Sequence, residues 1–213
     1  MVRSNSARPN SRSSRRICWL TLDRFHLVGH SLGAVVATAT AGLHPGMVLS
    51  LTAHAGWIKA DARMVFQFEL WKRLALTDPA ALARLLLLTA MGKDTLHAWG
   101  VAEFEQMAAA FTGLLEGAGE GVARQAAANM TLDIAEFLPS VSAPTLIIAS
   151  GDDRVLPPPH QHDLADRIPH ARLLRVPGGH GLPGRDPCPD PGRRDIVRGA
   201  KSGHRGGVLR CSG

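Results

Sequence analysis

Gly29-His30-Ser31-Leu32-Gly33 reads G-x-S-x-G, and an aspartate pair and a glycine-flanked histidine follow it far along the chain. Phe25-His26-Leu27-Val28, before the motif, is short and apolar enough for a buried strand. Ala34-Val35-Val36-Ala37-Thr38-Ala39, after it, is small and apolar enough for a helix. A serine in such a strand–turn–helix corner sits on a strained backbone with its hydroxyl exposed. Side chains at Gly29 or Gly33 are expected to crowd the turn. A serine hydroxyl is a poor nucleophile until a base takes its proton. An imidazole titrates near neutral pH and can be that base, and a carboxylate can orient it. Asp152, Asp153 and His180 have the right types for these tasks, and the chemistry they point to is acyl transfer.

The elements that must hold these residues alternate. Phe25–Val28 is a strand and Leu32–Leu43 its helix; Met47–Thr52 is a second strand after the turn His44-Pro45-Gly46. From Trp57 to Leu138 the chain is helical and rich in Ala and Leu. Helices are expected around Val65–Leu74, Pro79–Thr89, Glu103–Leu115 and Val122–Met130, with a break at Gly117–Gly121 and one more turn at Thr131–Phe137. Asp78 stands where it can cap a helix that begins at Pro79. Thr145–Ser150 is fully apolar apart from its ends, as a central parallel strand is. Pro158–Arg167 reads as a helix and Ala171–Val176 as a last strand. This order predicts an α/β fold with a parallel sheet and right-handed crossovers. Ser31, Asp153 and His180 each come just after a strand, where such sheets gather their reactive groups.

These motifs together resemble the α/β-hydrolase fold family, in its esterase and lactonase type with a helical cap. The resemblance covers residues 25–182. Gly29–Gly33 matches the elbow that carries the nucleophile. Gly151-Asp152-Asp153-Arg154-Val155-Leu156-Pro157 resembles the acid loop, in which the aspartate stands four residues before a proline, and Gly179-His180 resembles the histidine loop. The chain order Ser, Asp, His is the family's. The resemblance implies Ser31 as nucleophile, His180 as base and Asp153, rather than Asp152, as the orienting acid. It implies the backbone N–H of Leu32 as an oxyanion donor and no cofactor or metal. A small acyl compound is the implied substrate, and residues 57–138 are the implied cap, between core segments 17–56 and 139–183. His30 adjoins the nucleophile too closely to serve as its base and is expected to pack beside the elbow. His26 is expected to be a satisfied core residue, and His160 and His162 lie on a surface helix. The rival reading of Ser31 is a serine in a turn with no chemistry.

Charge is segregated along the chain. Residues 1–16 hold five Arg and no acid, and residues 184–213 hold seven Lys or Arg and three Asp, while residues 17–183 hold 12 basic and 15 acidic residues. The net +6 therefore belongs to the ends, which are expected to be disordered, and specific nucleic-acid binding is not expected. Cys18, Cys188 and Cys211 have no metal spacing and fit a reducing, cytoplasmic setting. No apolar run is long enough to span a membrane.

The family places several strands before the elbow, together with the loop that supplies its second oxyanion donor; this sequence offers no candidate for that donor. Phe25–Val28 is then an open sheet edge, and self-association through it is expected. Trp19–Leu22 is too short to replace the strands, and Gly184–Gly192 is too rich in Pro and Gly to form a closing helix. The expectation is a C-terminal half of such a hydrolase with both ends altered, truncated or frame-shifted. The alternative to an active enzyme is an inactive fragment or non-catalytic remnant.

Overall fold

The computed structural model describes residues 23–181. The expectations for the two tails, the three cysteines and Trp19–Leu22 lie outside these residues. Four strands form one parallel sheet: β1 (Phe25–His30), β2 (Val48–His54), β3 (Thr145–Ser150) and β4 (Arg172–Val176), side by side in chain order. Helix α1 (Leu32–Leu43) connects β1 to β2, and α7 (Pro159–Arg167) connects β3 to β4. Between β2 and β3 the chain runs through α2 (Ala62–Thr77), α3 (Pro79–Ala90), α4 (Lys93–Ala98), α5 (Val101–Leu115) and α6 (Gly119–Thr131), then a 3₁₀ turn at Ala135–Ser140.

Crossovers between parallel strands follow a right-handed rule, and these two advance across the sheet in the same direction, so α1 and α7 share one face and one core. That face holds the core. Phe25, Leu27, Leu51, Ala53, Ile147 and Leu173 point into it and pack with Ala34, Val35, Ala41 and Leu164 of the two helices. Side chains of opposite parity (His26, Val28, Ser50, Thr52, Leu146, Ile148 and Leu174) point the other way. Among the described residues, α1 and α7 are the helices that pack on the strands, so this second face has no helical cover. Parallel sheets are ordinarily covered on both faces. Val28, at the open end of the sheet, is 81% exposed.

Several expectations change here. His26 is not a core residue: it lies on the uncovered face and meets Ser50 Oγ at 2.7 Å through Nδ1. β1 runs two residues further than expected, through Gly29 and His30. α6 begins at Gly119, inside the expected break, because this glycine brings the helix against α2. A Cβ there would stand 2.4 Å from the carbonyl oxygen of Ala75. The turn expected at Thr131–Phe137 falls at Ala135–Ser140 and contains Pro139. The short helix α4 was not expected. Asp78 does cap α3, accepting from the Ala81 N–H at 2.9 Å. No helix of the described residues is long and apolar enough to cross a membrane.

The helical insert has its own packing and reaches back to the loops above the sheet. Trp57 and Phe68 are fully buried, with ring centroids 6.2 Å apart, and Trp71 meets Phe68 edge-on at 5.2 Å. Phe66 instead faces solvent. The insert's two ends are joined by an antiparallel bridge between Lys59 and Asp133, and the Ile134 N–H donates to the Ile58 carbonyl at 3.0 Å.

Candidate active site

Ser31 sits at the tip of β1 with φ 53° and ψ −124°, a left-handed conformation that costs a non-glycine residue energy and persists only where its surroundings enforce it. The surroundings do so on both sides. The Ser31 N–H donates to the His54 carbonyl at 2.9 Å, and the Ser31 carbonyl accepts from the Ala34 N–H at 2.9 Å. The first turn of α1 lies almost on top of β1. A Cβ on Gly29 would stand 2.3 Å from the Gly33 carbonyl oxygen and 2.7 Å from the Ala34 Cα. Gly33 behaves differently from expectation: a Cβ there meets no described atom within 4 Å, so only Gly29 is required by close approach. Leu32 opens α1, and its N–H is one of the free donors of a helix start.

The loops after β3 and β4 bring Asp153 and His180 to Ser31. Ser31 Oγ is 3.1 Å from His180 Nε2, and His180 Nδ1 is 2.8 Å from Asp153 Oδ2. Asp153 is 3% exposed, and its other oxygen, Oδ1, accepts from the Val155 and Leu156 N–H groups at 2.9 and 2.7 Å. A buried carboxylate needs such compensation. With Oδ1 occupied by two donors, Oδ2 accepts from His180 Nδ1–H, which leaves Nε2 unprotonated toward the serine hydroxyl. Asp152 is elsewhere, on the surface with Lys93 Nζ at 3.1 Å. This hydrogen bond and the Asp152 charge raise the Lys93 pKa.

The insert grips both loops. Arg63 donates to the carbonyls of Arg154 and Val155, and Gln67 to that of Val155. Arg154 donates back to the Leu88 carbonyl at 3.1 Å. The histidine loop presses against the end of α3: a Cβ on Gly179 would stand 2.3 Å from the Ala90 carbonyl oxygen, and the Gly181 N–H donates to that oxygen at 3.1 Å. These side chains had no sequence signal, because each contact spans many residues. A separate cleft of about 250 Å³ lies between α7 and the ends of the insert, lined by Lys59, Asp133, His160, Asp163 and Arg167; the three site residues do not line it. His160, on the helix α7, is half-buried there against Asp61 at 3.4 Å.

Beside His180 lies a row of polar residues that end three adjacent strands. His30 Nδ1 is 3.1 Å from His54 Nδ1, and His54 Nε2 is 2.8 Å from Ser150 Oγ. The His30 ring is centred 4.8 Å from the His180 ring and 4.9 Å from the His54 ring. His54 and Ser150 went unnoticed in the sequence, although both end strands whose carboxyl ends carry the site. Partial desolvation of a ring that keeps an exposed edge, then the neighbouring imidazoles of His180 and His54, lowers the His30 pKa to about 4, against a smaller upward pull from Asp153. Burial and His180 lower that of His54 in the same way.

A lowered folded-state pKa means that the unfolded chain takes up these protons first. Stability is therefore full above the ordinary histidine value of 6.5 and is lost as pH falls toward the folded value near 4. The melting temperature is expected to fall between pH 7.5 and pH 5. His30→Gln should flatten that slope, as melts followed by circular dichroism can read.

A parallel α/β sheet with a serine on a strained βα corner, hydrogen-bonded to a histidine and through it to a buried aspartate, defines a hydrolase-type architecture. The sequence profile of the alpha/beta hydrolase fold matches residues 20–183, and the chain belongs to that family. It is 32% identical over 157 residues to a pyrrolizixenacetamide deacetylase of Xenorhabdus hominickii, covering 73% of this chain and 58% of the relative. It is 31% identical over 173 residues to a putative carbamate hydrolase RutD of Pantoea ananatis, covering 79% and 61%. Among solved structures, the alpha/beta hydrolase MGS-M2 from a Medee basin deep-sea metagenome library superposes with a TM-score of 0.67 at 25% identity, over 75% of this chain and 59% of that one. The enol-lactonase from Burkholderia xenovorans LB400 shares the fold at 21% identity and a TM-score of 0.64, over 75% and 59%. The chain thus spans about three fifths of the length of these relatives.

Proposed function

We propose that this chain is a serine hydrolase acting on an ester, lactone or similar acyl bond of a small molecule. Ser31 is the nucleophile, His180 the general base and then acid, and Asp153 the group that fixes the imidazole. The observation that carries the reading is the hydrogen-bonded path from Ser31 Oγ through His180 to Asp153, at 3.1 and 2.8 Å. As Ser31 Oγ attacks the substrate carbonyl, its proton passes to His180 Nε2, and Asp153 stabilises the imidazolium. The tetrahedral oxyanion takes a hydrogen bond from the Leu32 N–H. His180 returns its proton to the leaving group, and an acyl ester remains on Ser31. A water, deprotonated by the same nitrogen, then releases the acid. The relatives named as a deacetylase and a putative carbamate hydrolase support a hydrolytic reading.

A second reading, a non-catalytic or self-associating form, is favoured by the sheet face that no described helix covers and by the exposure of Val28 on β1. One experiment separates the two. The full chain is passed over gel filtration with light scattering, and its folded fraction is treated with a fluorophosphonate probe. Labelling of a monodisperse fraction at Ser31, abolished in Ser31→Ala, is the expected outcome. A folded, monodisperse fraction without labelling defeats the hydrolase reading, and elution as large aggregates that bind ANS supports the second.

A further inference from the structure

We infer that His30 is a positioning residue for His180, held in a single neutral tautomer by His54 and Ser150. The inference rests on the reading of His180 as the base.

The tautomers follow from counting protons. Ser150 is fully buried, and among the described residues its hydroxyl has one side-chain partner, His54 Nε2 at 2.8 Å. A buried hydroxyl hydrogen needs an acceptor, so Ser150 Oγ–H donates and His54 Nε2 carries no proton. Neutral His54 then carries its proton on Nδ1. That proton points at His30 Nδ1, 3.1 Å away, which must accept it. His30 is thereby the Nε2–H tautomer. Two facing Nδ1 atoms cannot both be protonated, so protonating His30 breaks its bond to His54, while protonating His54 on Nε2 displaces the hydrogen of the Ser150 hydroxyl. The lowered pKa values of both imidazoles are consistent with this neutral arrangement.

The row has a mechanical consequence. His30, His54 and Ser150 end β1, β2 and β3, with His30 directly opposite His54 in the register. Ser150 begins the loop that carries Asp153, and its carbonyl accepts the Asp153 N–H at 3.3 Å. His30 adjoins the nucleophile in the chain and packs its ring against His180. The row therefore ties the edge of the serine corner to the root of the acid loop, and the ring it fixes is a wall for the base. The ionisable groups facing His30 are His54 on β2 and His180 on its loop, with Asp153 behind His180. A base displaced by a fraction of an ångström loses its alignment with the serine hydroxyl, and such misplacement slows reaction steeply.

The test uses the full chain with ¹⁵N-labelled histidine. Long-range ¹H–¹⁵N spectra at pH 7 should show His54 protonated on Nδ1 and His30 on Nε2. Ser150→Ala should move His54 toward a mixture of tautomers. It should also slow fluorophosphonate labelling of Ser31 about tenfold. Ser150→Thr, which keeps the hydroxyl, should restore both. If Ser150→Ala melts early, His54→Gln interrogates the same link. The inference is overturned if His30 is protonated on Nδ1. It is equally overturned if the folded variants leave the labelling rate as in the parent. Failure of the parent to label would defeat the hydrolase reading alone, since the spectra do not depend on turnover.

Discussion

Gly29→Ala is expected to lower the melting temperature by roughly 6–12 °C and to abolish labelling of Ser31, while Gly33→Ala leaves both nearly unchanged. The two glycines look equivalent in G-x-S-x-G, and their surroundings separate them. A methyl group on Gly29 would stand 2.3 Å from the Gly33 carbonyl oxygen and 2.5 Å from the carbon bonded to it. Both atoms are backbone, so no rotamer change relieves the clash. The first turn of α1 must back away from β1, and Ser31, which joins them at φ 53°, moves with it. Overpacking of this kind costs on the order of 3 kcal/mol, which gives that shift in a domain of this size. Gly33 lies within α1, where alanine is the better helix former by roughly 0.5–1 kcal/mol, and its methyl would meet no described atom within 4 Å. Thermal melts and labelling rates of the two variants make the comparison. Equal damage from both substitutions would refute the asymmetry.

The same contrast explains what the sequence could reveal. Apolar runs and caps act over a few residues, so β3 at Thr145–Ser150, α1 at Leu32–Leu43 and the Asp78 cap were legible within a residue or so. Chemistry-bearing types after strands were legible too, and the structure brings Ser31, Asp153 and His180 within hydrogen-bond reach. Close approaches between distant segments were not. Gly119 reads as a helix breaker, yet it lies inside α6 because Ala75 passes beside it. His26 reads as core because its neighbours are apolar; its side of the strand depends on which face receives α1 and α7. The polar His26 between the apolar Phe25 and Leu27 was the available clue to which side of the strand faces the core. Lys93–Ala98 has too few apolar residues to show a helical period, so α4 stayed hidden. The row His30–His54–Ser150 joins residues up to 120 apart in the chain, and only the strand order reveals that they are neighbours.

Asp153→Asn is expected to slow the acylation of Ser31 by about four orders of magnitude, the loss typical when a catalytic histidine is held in the wrong tautomer. Here the structure dictates that tautomer. The Val155 and Leu156 N–H groups both donate to Oδ1, at 2.9 and 2.7 Å, and they will demand an oxygen at that position. The asparagine amide nitrogen must then occupy the place of Oδ2, facing His180 Nδ1. An NH₂ group there donates, so Nδ1 must accept and the imidazole proton moves to Nε2. His180 now points an N–H at Ser31 Oγ and cannot take its proton. The loop hydrogen bonds survive, so the variant should fold and melt close to the parent. Asp153→Ala should lose activity as well, but with a lower melting temperature, because two buried N–H groups are left without a partner. Asp152→Asn is the matched control. It removes one carboxylate from a pair with Lys93, whose side chain is 58% exposed, and water screens such pairs so that they contribute little. Its labelling rate should stay within about twofold of the parent, as expected for a surface substitution away from the reacting groups. A slow Asp152→Asn beside an unimpaired Asp153→Asn would reverse the assignment of the acid.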